Sequence, residues 1–193
     1  MRFWVSGSAL ALILSGLAAA QTPKAAPRKT TQHKANELTL AGLRPGKDNV
    51  ERAANLYRQF RNNKKSQDGE SVWFDECRNA SLTIDSGAGK RIREIRVAPW
   101  DGSTADCSKM PLSTWKTGLG LRLTDLTAQI LQLYGEPDSK SPSSKGGQRL
   151  ELWYYAFDWA GPDVPQVMEV MCTVGQDGKP GRVVEITLAA PSL

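Results

Sequence analysis

Two periodicities divide the apolar residues of this chain. They recur at Val50, Ala53, Ala54 and Tyr57, and again at Leu126, Ile130, Leu133 and Tyr134. That spacing lines one face of a helix. Each helical segment carries its own start signals. Asp48 followed by Glu51 makes a capping-box pattern, while Thr124 can cap and Asp125 suits a helix N-terminus. Gly135 is placed for a left-handed C-terminal position, and Pro137 stops the second helix. Elsewhere the pattern is that of strands: "SVWFDEC" (Ser71 to Cys77), "RIREIRVA" (Arg91 to Ala98), "RLELWYYAFDW" (Arg149 to Trp159), "VMEVMCTV" (Val167 to Val174) and "RVVEITLA" (Arg182 to Ala189). "DSGAGK" (Asp85 to Lys90) and "GQDGKPG" (Gly175 to Gly181) read as the turns of hairpins.

These elements occur in the same order twice. Gly42-Leu43-Arg44 is matched by Gly120-Leu121-Arg122, and Leu56-Tyr57 by Leu133-Tyr134. Arg91, Glu94, Ile95 and Ala98 are matched by Arg182, Glu185, Ile186 and Ala189, and Val72-Trp73-Phe74 by Leu152-Trp153-Tyr154. The expectation is an α+β protein of two tandem repeats, each a short helical segment packed on an antiparallel sheet of about three or four strands. Residues 37–100 form the first repeat, 101–117 a linker loop and 118–193 the second.

"GLRLTDLTAQILQLYGEPD" resembles the Gly-Leu-x-x-Gly-x-Thr-x-x-x-Val-x-x-x-x-Gly-x-Pro phrase of the SmpA/OmlA group, matching best at Gly120, Leu121, Gly135 and Pro137. That group includes small outer-membrane assembly lipoproteins. The resemblance implies a helix-plus-sheet unit in tandem, similar to the β-lactamase inhibitor protein fold.

Residues 1–20, "MRFWVSGSALALILSGLAAA", read as a secretory signal: Arg2 in a short positive region, an apolar stretch, then small residues, with cleavage expected after Ala20. The apolar stretch is short for a bilayer span of about 20 residues. Gln21, rather than a lipid-accepting Cys, follows the small residues, so neither a lipid anchor nor a spanning segment is expected. Residues 21–36 are basic and polar with nothing to bury, and read as a disordered arm that holds the sole histidine, His33. The chain is therefore expected in the periplasm or outside the cell. Its net charge of +5 fits a solvated basic surface or attraction to anionic envelope polymers or lipid headgroups. Export, and the lack of a basic stripe with interleaved aromatics, argue against a nucleic-acid partner. Three cysteines suggest one disulfide and one spare thiol. Three pairings can be drawn. Cys77 with Cys107 is the expected one, because both flank polar, loop-like sequence, whereas Cys172 lies in an apolar strand.

No catalytic constellation stands out, and no cofactor or metal is implied. "GAGKR" (Gly87 to Arg91) lacks the glycine spacing and the Ser or Thr of a phosphate loop. Glu136 with Asp138, Asp75 with Glu76, and the carboxylates of "DWAGPD" (Asp158 to Asp163) read as solvated turn residues before they read as acid–base or calcium sites. The aromatic strand is more informative. Alternation puts Trp153, Tyr155, Phe157 and Trp159 on one face and Leu152, Tyr154, Ala156 and Asp158 on the other. Two placements are open for the first row: it faces the helices as core, or it forms an exposed binding face. The functional expectation is an exported, non-enzymatic interaction protein of the bacterial envelope. It would recognise a protein or envelope component through a sheet face bearing Trp153, Tyr155, Phe157 and Trp159, with Trp73 as their counterpart. The alternatives are an envelope-polymer hydrolase using carboxylates such as Asp158 or Glu136, and a purely structural envelope protein.

Overall fold

The computed structural model describes residues 37–63, 69–102, 115–157, 167–175 and 181–190, all within one unit running from His33 to Leu193. A helix α1 (Val50–Leu56) is followed by strands β1 (Arg61–Asn63), β2 (Glu70–Asp75), β3 (Ala80–Ser86) and β4 (Ile92–Pro99). A second helix α2 (Thr127–Tyr134) is followed by β5 (Ser139–Lys145), β6 (Gln148–Ala156), β7 (Val167–Thr173) and β8 (Val183–Ala189).

The eight strands form one antiparallel sheet in the order β1-β2-β3-β4-β8-β7-β6-β5. This corrects the expected architecture. Two helix-on-sheet repeats separated by a linker are replaced by a single sheet, because β4 and β8 pair directly: Glu94 opposite Ala189, Ile95 opposite Leu188, Arg96 opposite Thr187 and Val97 opposite Ile186. Ile95, Val97, Ile186 and Leu188 are buried at that junction, so separating the halves would expose the centre of the core.

One line of paired residues crosses six strands, through Trp73, Leu82, Val97, Ile186, Val170 and Trp153. All six side chains are buried and belong to the single core cluster. Period-two alternation keeps that whole line on one face of the sheet. Both helices pack on this face, α1 through Ala53 and α2 through Ile130 and Tyr134, joined by Tyr57 at the end of α1. The aromatic rings knit the layer together: Tyr57 lies 6.1 Å from Trp73 and 5.9 Å from Trp115, and Tyr134 lies 5.8 Å from Tyr155. Among the described residues no helix is long and apolar enough to cross a membrane.

The expected helix starts are shifted. Asn49, not Asp48, caps α1 by accepting from the Arg52 amide at 2.9 Å. Asp48 instead accepts from the Arg44 amide at 2.8 Å. Likewise α2 begins after Leu126, and the Asp125 carboxylate accepts from the Arg122 amide at 2.8 Å. Both carboxylates close the turn that precedes the helix, a local bond that competes with capping. Leu126 and Ala54, expected on the buried faces, are exposed. Gly135 ends α2 at φ +73° and donates to the Leu131 carbonyl, as its position before Pro137 predicts.

Candidate functional site

Four of the five aromatic residues expected at a binding face lie in the core. Trp73, Trp153, Tyr155 and Phe157 are at most 7% exposed. The row therefore faces the helices, and the exposed placement is corrected. Its bulk explains the outcome, since the larger apolar row gains more by leaving water. Two of the polar tips are satisfied in place: the Trp153 indole N–H donates to Glu151 at 2.6 Å, and the Tyr155 hydroxyl donates to the Gly135 carbonyl at 3.0 Å. Burial pushes the Tyr155 phenol above its ordinary range, with the charges of Glu136, Cys172 and Asp138 adding to the effect. Trp159 and Cys107 lie outside the described residues, as does Asp158. Cys172 is a free, buried thiol whose pKa burial pushes up to about 12.

The candidate carboxylates serve local structure. Asp75, almost wholly buried, accepts from the amides of Cys77 and Arg78 and pairs with the Arg78 guanidinium at 3.3 Å. Glu76 pairs with Arg61 at 3.1 Å. Glu136 lies 3.6 Å from Lys140, and Asp138 accepts from the Ala156 amide at 2.7 Å. Among the described residues no cluster of His, Cys, Asp and Glu side chains is placed to hold a metal ion.

What sequence reasoning missed is the other face of the sheet. Both helices occupy one side, and among the described residues no helix covers the opposite one. That open face is built in registered rows. Glu70, Asp85 and Glu94 stand side by side across β2, β3 and β4. The next row runs Val72, Thr83, Arg96, Thr187, Glu169 and Tyr154. Leu152, Met171 and Glu185 make a third row on the far side. Most of these side chains are half-buried.

At the centre sits Arg96, paired with Glu94 and lying 3.8 Å from Glu185, which Lys145 also reaches at 2.7 Å. Partial burial opposes the charge of Arg96, but Glu94, Glu185 and Glu70 outweigh it and hold its pKa above the ordinary value. Asp85 is met by Arg93 at 2.7 Å. No cation among the described residues pairs with Glu70 or Glu169. The face thus carries two carboxylates, Glu70 and Glu169, without an ion pair among the described residues, beside three that are paired. Its β2 end carries an apolar patch: Phe74 and Trp100 lie 4.9 Å apart, with the Arg61 guanidinium 4.9 Å from each ring. One signal for this face was in the sequence: the polar positions between the inward residues of the strands are rich in Glu.

No family model matches the chain, and no curated protein matches it. It is similar in structure to a DUF4309 family protein from Bacillus subtilis, at 11% identity and a TM-score of 0.45, covering 81% of this chain and 88% of that one. It is also similar to a cysteine-rich secretory protein from Staphylococcus aureus, at 11% identity and a TM-score of 0.43; the match covers 82% of this chain and 48% of that one, so this chain spans about half of its length.

The sheet edges are poor docking sites by comparison. β5 is "SKSPSSK", exposed almost throughout and interrupted by Pro142, and β1 is three residues long. Short, charged or proline-bearing edges resist the addition of another strand.

Proposed function

We propose that this chain is an exported, non-enzymatic interaction protein of the bacterial envelope, and that the open sheet face recognises a protein partner carrying basic groups flanked by apolar side chains. The observation that carries this reading is the juxtaposition of acidic rows with apolar side chains on a rigid eight-stranded support. Glu70, Glu169 and the Glu94–Arg96–Glu185 cluster give the charge, while Phe74, Trp100, Leu152, Tyr154 and Met171 give the contact area. Complementary charge of this kind steers association and selects partners, while aromatic side chains supply binding energy. The signal-like residues 1–20 support export. Cys172 is a buried free thiol, which leaves Cys77 and Cys107 as the pair for the proposed disulfide. Glu136 and Asp138 are engaged with Lys140 and the Ala156 amide, so they lend no support to the hydrolase alternative.

A photo-crosslinking amino acid at Val72, Thr83 or Tyr154, compared with Arg52 and Gln132 on the helices, tests the proposal in producing cells. The expected result is one defined protein adduct from the sheet-face positions alone, lost when Glu94 and Glu169 are replaced by Lys. Adducts from both faces alike, or from neither, would overturn it.

A further inference from the structure

Among the described residues, five carboxylates stand in the rows of the open face, and they are not equally answered. Asp85 is met by Arg93 at 2.7 Å, Glu94 by Arg96, and Glu185 by Lys145 at 2.7 Å and by Arg96 at 3.8 Å. Glu70 lies exposed at the start of β2, where water solvates it, and its charge still acts on Arg96. Glu169 differs from the other four. It is half-buried in the middle of β7, and alternation with the buried Met168 and Val170 places it on the open face. Among the described residues it has no hydrogen-bond or ion-pair partner, and it is not one of the carboxylates that raise the Arg96 pKa. A carboxylate drawn partly out of water with no counter-charge lowers stability. Such departures from local consistency are expected at functional sites.

Register fixes the surroundings of Glu169. Tyr154 on β6 and Thr187 on β8 are its direct cross-strand neighbours. Leu152 and Glu185 stand on the diagonals, two positions along those strands, and Met171 is two residues on in β7 itself. On an antiparallel sheet, side chains directly opposite lie about 5 Å apart and diagonal ones about 7–8 Å. The carboxylate therefore stands beside the Tyr154 phenol, with apolar side chains on one flank and a second carboxylate on the other. None of these five neighbours is a cation.

Resting on the reading of the open face as a recognition surface, we infer that Glu169 receives a cationic side chain of the partner protein, an ammonium or guanidinium group whose apolar stem lies along Tyr154, Leu152 and Met171. The fit is one of charge: a cation there completes a charge-assisted hydrogen bond to an otherwise unanswered carboxylate, and the Tyr154 ring adds cation–π attraction. Long cationic side chains bury their stems on apolar surface while the charged head finds its partner. Glu169 is therefore the position at which the face tells a basic partner from a neutral one.

Two measurements on the full chain test the assignment, and the first needs no partner. Glu169→Gln removes a charge that the free chain leaves uncompensated, so the urea midpoint should hold or rise. Glu185→Gln strips a counter-charge from Arg96 and Lys145, so its midpoint should fall. The second measurement places a photo-crosslinking amino acid at Ala156, the exposed diagonal neighbour of Glu169, in producing cells. One protein adduct is expected, its yield falling about tenfold in Glu169→Gln, as the loss of a charge-assisted hydrogen bond implies, and changing less than about twofold in Glu70→Gln. An adduct that Glu169→Gln leaves unchanged, or that Glu70→Gln reduces as much, would overturn this assignment while leaving the open-face reading in place. No adduct at all would overturn both. A urea midpoint that falls as far in Glu169→Gln as in Glu185→Gln would show that the chain itself already uses the Glu169 charge, and would overturn the assignment independently of any partner.

Discussion

Glu37 is 2% exposed, and among the described residues its carboxylate is met by hydrogen-bond donors rather than by a cation. One carboxylate oxygen accepts from the amides of Leu38 and Thr39 at 2.9 and 3.0 Å, and the other accepts from the Leu119 amide at 3.0 Å and the Tyr134 hydroxyl at 2.7 Å. The Tyr134 hydroxyl also meets Thr117 at 2.6 Å. The network pins the start of the described chain to the segment leading into α2. Glu37→Gln keeps the shape but turns an N–H₂ toward donors, and should cost about 2–3 kcal/mol in urea unfolding. Gly118 belongs to the same cluster for a steric reason: a Cβ there would lie 2.5 Å from a Glu37 carboxylate oxygen and 2.8 Å from the Thr39 hydroxyl. Gly118→Ala should therefore lower the unfolding midpoint, and Glu37→Gln should not rescue it. The buried phenols and thiol set a pH limit. Burial raises the pKa of Tyr57, Tyr134 and Tyr155 above the ordinary 10.0, and that of Cys172 from 9.0 to about 12. Below about pH 8 all four are protonated in both states and contribute no pH dependence. Above it the unfolded chain releases protons that the folded one retains, so stability falls as pH rises. Urea midpoints should be flat from about pH 7 to 8 and drop above about pH 10. Cys172 should react with a thiol reagent at pH 8 only after unfolding.

At the scale of elements, the long strands and both helices were legible because their apolar periods match their secondary structure. "RIREIRVA" and "RVVEITLA" became β4 and β8, and the Tyr57 and Tyr134 positions became the buried ends of the two helices. β5 was not legible. "SKSPSSK" has no apolar period, since both of its faces are mostly exposed, and its strand character comes from pairing with β6 along seven registered residues. The aromatic strand was read with the correct alternation but an undecided side. Both of its faces carry apolar residues, Leu152 and Tyr154 against Trp153 and Tyr155, so alternation alone could not say which row meets the helices. Helix starts were misplaced because Asp48 and Asp125 found closer amides, at Arg44 and Arg122. That turn leaves Thr124 at φ +69°. Thr124→Gly relieves the strain and should stabilise the fold by about 1 kcal/mol, measured as a rise in the urea midpoint at unchanged m-value. A loss of stability would mean that the Thr124 side chain contributes contacts worth more than the strain.

At the scale of the whole molecule, the β4–β8 pairing decides how the chain behaves as a unit. Sequence similarity between the halves pointed to two repeats, because matched local phrases say nothing about which strands meet across the middle. Long-range register is set by burial, and here the two innermost strands bury Ile95, Val97, Ile186 and Leu188 against each other and their neighbours. A half sheet ending at β4 or β8 would present a long apolar edge to water, which is the arrangement that promotes aggregation. Neither half should therefore be stable alone. Residues 37–102 and 115–193, produced separately, are expected to be unfolded or aggregated. The full chain should unfold in one transition, with far-ultraviolet circular dichroism and tryptophan fluorescence coincident. Ile186→Ala, which opens a cavity at the junction, should cost about 2–5 kcal/mol and shift both signals together. Two separable transitions, or a soluble folded half, would show that the junction is a docking contact between autonomous units; a single shifted transition places it in the common core on which the open face depends.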